Sequence, residues 1–259
     1  MMGRTHALSG ALVGLLTGPL VGLHTAVEVL PFAAVTAGYA LVPDLDHPRA
    51  TASRSLGVYT GTLSRLLRAV SAWLYARTKG PRAARGDGTH RHFTHTAVFA
   101  VLLGAVCWAS TQLGGLVAVV AWIGFGLLLA VDRLGMIALV AFAAGALAWI
   151  PVVLNGIVGT ELAVVSDGLC DWLWIAVSLG CLVHDAGDAL TESGCPILWP
   201  IPIAGETWYE IRPPAVVRFR TGRAAEQCVV FPALAAGCVL ALPGAWTVLT
   251  HLVLTAVER

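Results

Sequence analysis

The feature that most constrains this chain is a series of apolar stretches, each long enough to cross a membrane. An α-helix crosses the hydrocarbon core of a bilayer in about 17 to 25 residues. Such stretches occupy residues 7–23, 25–42, 96–113, 115–131, 134–154, 172–190 and 228–250. Charged residues make up 12% of the chain, against roughly 25% in soluble domains. The sequence therefore predicts an all-α, polytopic transmembrane helical bundle of about six to seven spans, in one domain over residues 1–259.

Basic residues are concentrated on one predicted side of this bundle. Two polar segments, 43–95 and 191–227, separate the apolar stretches, and a count of seven spans puts both on the side of the amino terminus and the Asp132-Arg133 turn. That side then carries 15 of the 16 lysine and arginine residues, with only Arg259 opposite. Because basic residues accumulate in cytoplasmic loops, we expect this side to face the cytoplasm.

The first polar segment contains a predicted cytoplasmic amphipathic helix at about residues 60–78. Apolar side chains recur there at helical spacing, while Arg65, Arg68 and Arg77 lie off that stripe. The stripe consists of Leu63, Leu66, Leu67, Val70, Trp73 and Leu74. A basic amphipathic helix suits the lipid headgroup region. The alternative is a helix that caps the bundle.

Histidine and aspartate cluster at the predicted cytoplasmic ends of the spans. The motifs are HRHFTHT before the third span, PDLDHP after the second and HDAGD at the end of the sixth. His6 lies at the start of the first span. Four helix ends are therefore expected to present imidazole or carboxylate groups at one level. Ionisable groups inside or bordering a bilayer are expensive and usually functional.

This convergence predicts a metal site. His184 and Asp188 are four residues apart and share one face of a helix, whereas Asp185 points to a different face and is expected to cap or be solvated. Imidazole and carboxylate are good ligands for zinc and similar divalent ions. Each motif alone can be explained without a functional site, as a solvated loop end, a helix terminus with an Asx-turn or a chance pair. Their joint position on one side favours the metal site.

Taken together, the motifs resemble a known family. Residues 6–10, 43–48, 90–96 and 184–200, in this order, resemble the YdjM-like family of LexA-regulated bacterial inner-membrane proteins, described as metal-dependent hydrolases. The resemblance extends over nearly the whole chain. It implies a multipass metal-dependent hydrolase of the inner membrane that is produced in the SOS response and whose active site faces the cytoplasm.

The residues and the resemblance together imply one or two divalent ions, with zinc expected and manganese as the alternative. The expected first ligands are His6, Asp44, His95, His184 and Asp188. Asp46, His47 and His90 are expected to bind a second ion or to orient the first ligands. The candidate catalytic residues are Asp46, Glu192 and Glu226.

The predicted function is hydrolysis of a phosphoester or lipid-associated substrate through a metal-activated water. The alternative is a non-catalytic metal-binding membrane protein, such as a stress-response scaffold, a sensor or a transporter. A transporter should carry polar groups near the midplane of its spans, but the middles of spans three to five are almost entirely Ala, Val, Leu and Gly. Membrane lipids are expected partners. Nucleic acid is not expected, because no recognition motif accompanies the basic residues 49–91.

Overall fold

The protein is a bundle of α-helices. The computed structural model describes residues 1–81, 86–143 and 162–257, and no element in these ranges is a named strand. The helices are α1 Gly3–Thr17, α2 Ala26–Tyr39, α3 Val58–Thr78, α4 Ala97–Leu134, α5 136–143, α6 Leu162–Ala189, α7 Phe231–Ala241 and α8 Ala245–Val257. The predicted all-α class is confirmed.

The helix α4 is two antiparallel arms rather than one rod. Gly115 has φ 51° and ψ −140°, which no α-helix contains, and the helix breaks there. The indole nitrogen of Trp122 donates a hydrogen bond of 2.8 Å to Ser110 Oγ. Twelve residues of continuous helix would separate these two residues by about 18 Å, so the chain must fold back at Gly115. This break falls between the predicted third and fourth spans.

Small residues let the helices of the bundle approach closely. A Cβ atom at Gly38 of α2 would lie 1.8 Å from the carbonyl oxygen of Gly126 in the second arm of α4. A Cβ atom at Gly104 in the first arm would lie 1.9 Å from Ser178 Oγ of α6. Close helix packing through small residues is typical of membrane bundles. These contacts hold α2, α4 and α6 together around a core that includes Phe32 and Leu173.

By length and composition, two described helical segments could cross a membrane: Ala26–Asp46 and Ala97–Leu134. A third span is possible if the bent pair Glu226–Ala241 and Ala245–His251 forms one crossing. The predicted count of six to seven spans therefore remains a prediction. Part of the predicted span 134–154 lies outside the described residues.

The amphipathic helix predicted at residues 60–78 is α3. Its contact with the rest of the protein runs through small polar and aromatic side chains, because Ser64, Ser71 and Tyr75 are buried. Trp73, in the apolar stripe, is 54% exposed, and Leu66 is 60% exposed. Most of the apolar stripe therefore faces away from the bundle. This orientation favours the lipid headgroup region over a helix that caps the bundle.

Candidate metal centre

The structure brings five predicted ligands together at one end of the bundle. They come from four places: the first turns of α1, the short 3-10 helix Pro43–Asp46 after α2, the 3-10 helix Phe93–His95 before α4, and the last turns of α6. We call them the His/Asp cluster, which consists of His6, Asp44, His95, His184 and Asp188. In groups of three, their ligand atoms lie within 4.8 Å of one another. This is the convergence that the sequence predicts, and the role of the five as ligands remains a prediction.

Two histidine side chains of the cluster face each other. His184 Nε2 lies 3.2 Å from His95 Nε2. His184 Nδ1 lies 2.8 Å from the carbonyl oxygen of Ala40, which can only accept a hydrogen bond, so Nδ1 carries the proton of the neutral ring. The Nε2 atom of His184 is then left with a lone pair directed at His95.

The ring of His95 is held in the same tautomer by its other neighbours. The hydroxyl of Thr94 donates a hydrogen bond of 2.6 Å to Asp46 Oδ2. The oxygen of that hydroxyl lies 3.0 Å from His95 Nδ1 and can therefore only accept from it. His95 Nε2 is consequently unprotonated as well. When both rings are neutral, two lone pairs therefore meet at 3.2 Å, an arrangement that a shared cation would stabilise.

Two carboxylates border this pair of nitrogen atoms. Asp188 Oδ2 lies 3.7 Å from His95 Nε2 and 3.8 Å from His184 Nε2. Asp44 Oδ1 lies 4.0 Å and 3.9 Å from the same two nitrogens. Atoms bound tetrahedrally to one zinc ion at about 2.0 to 2.2 Å lie roughly 3.4 Å apart. The observed separations are close to that value, so the side chains could hold a divalent ion after small movements.

His6 completes the cluster from α1. Its ring is fully buried and stacks on His184 with the ring centroids 3.7 Å apart. His6 Nε2 approaches Asp188 Oδ1 at 3.2 Å, but neither ring nitrogen has a hydrogen bond of good geometry within the described residues. Burying a polar group without a partner is unfavourable. The unsatisfied nitrogens of His6 fit a bound metal ion.

Asp46 is fully buried and organises the loop that carries two histidines. Its Oδ1 lies 2.5 Å from His90 Nδ1. Its Oδ2 accepts from the backbone N–H of Arg91 at 3.1 Å and from Thr94, and lies 3.5 Å from His95 Nδ1. Both oxygens are therefore engaged. This geometry favours the predicted orienting role of Asp46 over its predicted role as a catalytic base.

His90 and His47 lie at the outer edge of the cluster. His90 forms a further candidate ligand group with Asp44 and His95. Burial alone would lower the pKa of His90, but its hydrogen bond with Asp46 and the charge of that carboxylate outweigh burial and raise the pKa above its ordinary value. His47 packs edge-on against His90 at 4.6 Å. Partial burial and the neighbouring His90 lower the pKa of His47.

The two glutamates predicted as catalytic residues are not brought into the His/Asp cluster. Glu192 is exposed and forms an ion pair of 3.0 Å with Arg220. Glu226 is fully buried, and its carboxylate accepts hydrogen bonds from the backbone N–H groups of Met2 at 2.6 Å and Gly222 at 2.7 Å. Glu226 therefore ties the start of α1 to the segment before α7, which is a structural role.

Two side chains have roles that the sequence did not indicate. Asp185, expected to cap or to be solvated, is fully buried, and neither of its oxygens has a hydrogen-bond partner among the described residues. His92 packs edge-on against Tyr75 at 4.4 Å and in a tilted arrangement against Trp208 at 5.3 Å. Its ring therefore joins α3 to the loop after α6. Within the segment HRHFTHT, no sequence signal separates this packing role of His92 from a ligand role.

A basic side chain also reaches the cluster. Arg91 has a positive φ of 57° in the loop before α4. Its guanidinium nitrogen lies 2.9 Å from Asp188 Oδ2. Arg91 thus offsets part of the negative charge of the cluster and places a strong anion-binding group beside it.

Comparison with known proteins gives one match. A family model described as YdjM inner membrane protein matches residues 1–255. No curated protein and no solved structure matches the chain.

Proposed function

This chain belongs to the YdjM inner membrane protein family, and we propose that it is a membrane-bound, metal-dependent hydrolase acting on a phosphoester or lipid-associated substrate. The proposal rests above all on His95 and His184, whose unprotonated Nε2 atoms face each other at 3.2 Å. Both rings are fully buried. A buried arrangement of this kind is unfavourable unless a cation lies between or beside the two nitrogens.

The proposed ligands are the five members of the His/Asp cluster, with His90 available at its outer edge. A bound divalent ion would supply a water of lowered pKa and a Lewis acid for the substrate oxygen. Asp46 holds His90 and His95 in orientation through their Nδ1 atoms. Asp44 is 23% exposed, whereas Asp188 is 1% exposed, so the substrate would approach from the side of Asp44. Zinc suits the mixture of imidazole and carboxylate, and manganese is the alternative.

The second candidate is a metal-binding membrane protein without turnover. The position of Arg91 supports this non-catalytic candidate in one respect. Its ion pair with Asp188 occupies an oxygen that a catalytic ion would also use. The hydrolase reading is favoured by the partial exposure of Asp44, since a purely structural metal site is normally closed by its protein ligands. The two candidates differ in one measurable property, which is chelator-sensitive turnover.

We expect purified protein in detergent to hydrolyse at least one member of a panel of aryl phosphates, phosphodiesters and phospholipids. Chelation should abolish that activity, and zinc or manganese should restore it. Asp44→Asn, at the most exposed ligand position, should lower turnover by about 100-fold or more, because even outer-shell partners of a metal contribute about 10- to 100-fold. Exposed Glu192→Gln serves as the matched control and should retain activity. Activity that is insensitive to chelators, or no activity on any substrate, would favour the non-catalytic reading.

We further propose that the His/Asp cluster faces the cytoplasm. All but one of the basic residues fall on this side in the seven-span topology. Contacts between helix ends agree with that arrangement. Arg133 Nε, at the end of α4, lies 3.1 Å from the place that a Cβ atom would take at Gly3. The guanidinium of Arg4 lies over the ring of Phe231, 4.9 Å from its centroid. The starts of α1 and α7 and the end of α4 are therefore neighbours at one end of the bundle.

Reporter fusions test this orientation at two points of one hairpin. A reporter that is active only outside the cytoplasm should be active when fused after Leu113, beside the break in α4, and inactive when fused after Arg133. The two sites lie at opposite ends of the second arm of α4, so each is a control for the other. The reverse pattern would place the cluster on the outer side of the membrane.

A further inference from the structure

A polar pocket lies at the exposed edge of the His/Asp cluster. It encloses about 300 Å³. Its lining includes Asp44 and His90 together with three arginines, Arg49, Arg91 and Arg133. Guanidinium groups bind phosphate through paired, charge-assisted hydrogen bonds. The pocket therefore combines candidate metal ligands with groups that favour a phosphate.

An apolar groove begins next to this pocket. It encloses about 560 Å³ between α1, α2, α5 and α7, within the roughly 300 to 1,000 Å³ typical of ligand pockets. Most of its lining is aliphatic, including Leu15, Leu30 and Ile137. Ile137 and Val239 line the groove and are 78% and 58% exposed at the surface of the bundle, so an alkyl chain could reach the groove from outside.

Arg133 connects the two sites. It is the residue at the end of α4 that lines both the polar pocket and the apolar groove. Arg4 also lines the groove, and its guanidinium lies over the ring of Phe231, another groove residue. Asp132 contacts Arg133 Nε at 3.4 Å, but each side chain is 28% exposed, so this surface ion pair is weak competition for a ligand. The positive charges are thus concentrated where the groove meets the pocket.

We propose that the substrate is a membrane lipid phosphate, with an alkyl chain in the apolar groove and its phosphate in the polar pocket. Arg133 would bind the phosphate at the junction, and Arg49 and Arg91 would bind it beside Asp44. In the reaction, a water oxygen bonds to phosphorus and the P–O bond to the lipid breaks. A proton of that water passes to the leaving alkoxide, so the products are the lipid alcohol and inorganic phosphate. This inference rests on the proposed hydrolase function, and it adds the class of substrate and the route by which it enters.

Binding to metal-free protein tests the inference without any turnover. Three probes separate the two halves of the site: dioleoyl phosphatidic acid, dioleoylglycerol with the same chains but no phosphate, and glycerol 3-phosphate with no chains. We expect native mass spectrometry in detergent to show clear binding of the first and weak binding of the other two. Equal binding of dioleoylglycerol would mean that the groove holds ordinary membrane lipid, and the inference would then fail.

Two substitutions address the groove and the junction separately. Ala141→Trp fills the groove from α5, and Arg133→Gln removes the charge at the junction. Each should weaken binding of phosphatidic acid by about tenfold or more, which corresponds to about 1.4 kcal/mol. The matched controls are Val140→Trp, at an exposed position one residue away, and Arg65→Gln on α3. Equal effects of variants and controls, or no effect of either variant, would contradict the inference.

Kinetics distinguish failure of this inference from failure of the hydrolase proposal. If Ala141→Trp raises KM for the lipid by a much larger factor than KM for a soluble aryl phosphate, the groove guides the lipid chain. Metal-dependent turnover of the aryl phosphate with no preference for the lipid would overturn the lipid inference alone. Specific binding of phosphatidic acid without turnover of any substrate would support the lipid site and overturn the hydrolase.

Discussion

His184→Ala should remove the bound metal from the purified protein. The substitution deletes the Nε2 atom that lies 3.2 Å from His95 Nε2, and it also frees the carbonyl of Ala40. We expect metal affinity to fall by more than the 10- to 100-fold that loss of an outer-shell partner typically costs. Elemental analysis of the purified protein, with titration of zinc into the chelated form, measures the loss.

A second ligand variant and a control make this result interpretable. His184 is fully buried, so its replacement could also destabilise the fold. Asp44→Ala removes a ligand at a position that is 23% exposed, and it should lower metal content with little change in Tm. His24→Ala changes an exposed histidine between α1 and α2, outside the candidate ligand groups, and should retain the metal. Unchanged metal content in both ligand variants would refute the ligand set.

The convergence of the His/Asp cluster could be predicted because the membrane restricts the possible arrangements. Apolar runs of nearly equal length that alternate in direction place every second helix end on the same side. His6, Asp44 and His95 stand at such ends, and His184 and Asp188 follow from a helical spacing of four. The position of these five residues along the chain was therefore nearly sufficient to predict their proximity.

The roles of the neighbouring carboxylates could not be predicted in the same way. Asp44 and Asp46 are separated by one residue in PDLDHP, but the 3-10 turn directs Asp44 toward His95 Nε2 and Asp46 toward His95 Nδ1. The two carboxylates therefore approach opposite nitrogens of one imidazole ring. Such a distinction depends on the direction of side chains within a single turn, and sequence spacing does not contain that information.

The burial of two other acidic side chains was also beyond sequence reasoning. Glu226 was a candidate catalytic base because it is acidic, but two backbone N–H groups occupy its carboxylate. Asp185 was expected at a surface, yet it is fully buried. In both cases the environment is formed by segments far apart in the chain. Local patterns predict the helix on which a residue lies, but they do not predict which distant segment will cover it.

The geometry of the His/Asp cluster and the helix packing are linked through α2. The carbonyl of Ala40, which fixes the tautomer of His184, lies just after the end of α2. Gly38, two residues earlier, is where α2 meets the second arm of α4. A displacement of α2 would therefore move both the carbonyl and the adjoining Asp44. We infer that close packing at Gly38 is a requirement for the geometry of the His/Asp cluster.

Gly38→Ala is consequently expected to have the largest effect on stability of any single methyl group added to the described part of α2. The new Cβ atom would lie 1.8 Å from the carbonyl oxygen of Gly126, and neither backbone can move without separating two helices. Overpacking typically costs about 1 to 3 kcal/mol, and backbone contact places this variant at or above the upper end.

Gly124→Ala, on the same arm of α4 as Gly126, is the matched control, because its Cβ atom would meet nothing within 4 Å. Removing a helical glycine there should change stability little or increase it by up to about 1 kcal/mol. Thermal unfolding in detergent should therefore show a large fall in Tm for Gly38→Ala and none for Gly124→Ala, together with reduced metal content in the first variant alone. Equal stability of the two variants would mean that the helices can separate at this point without cost.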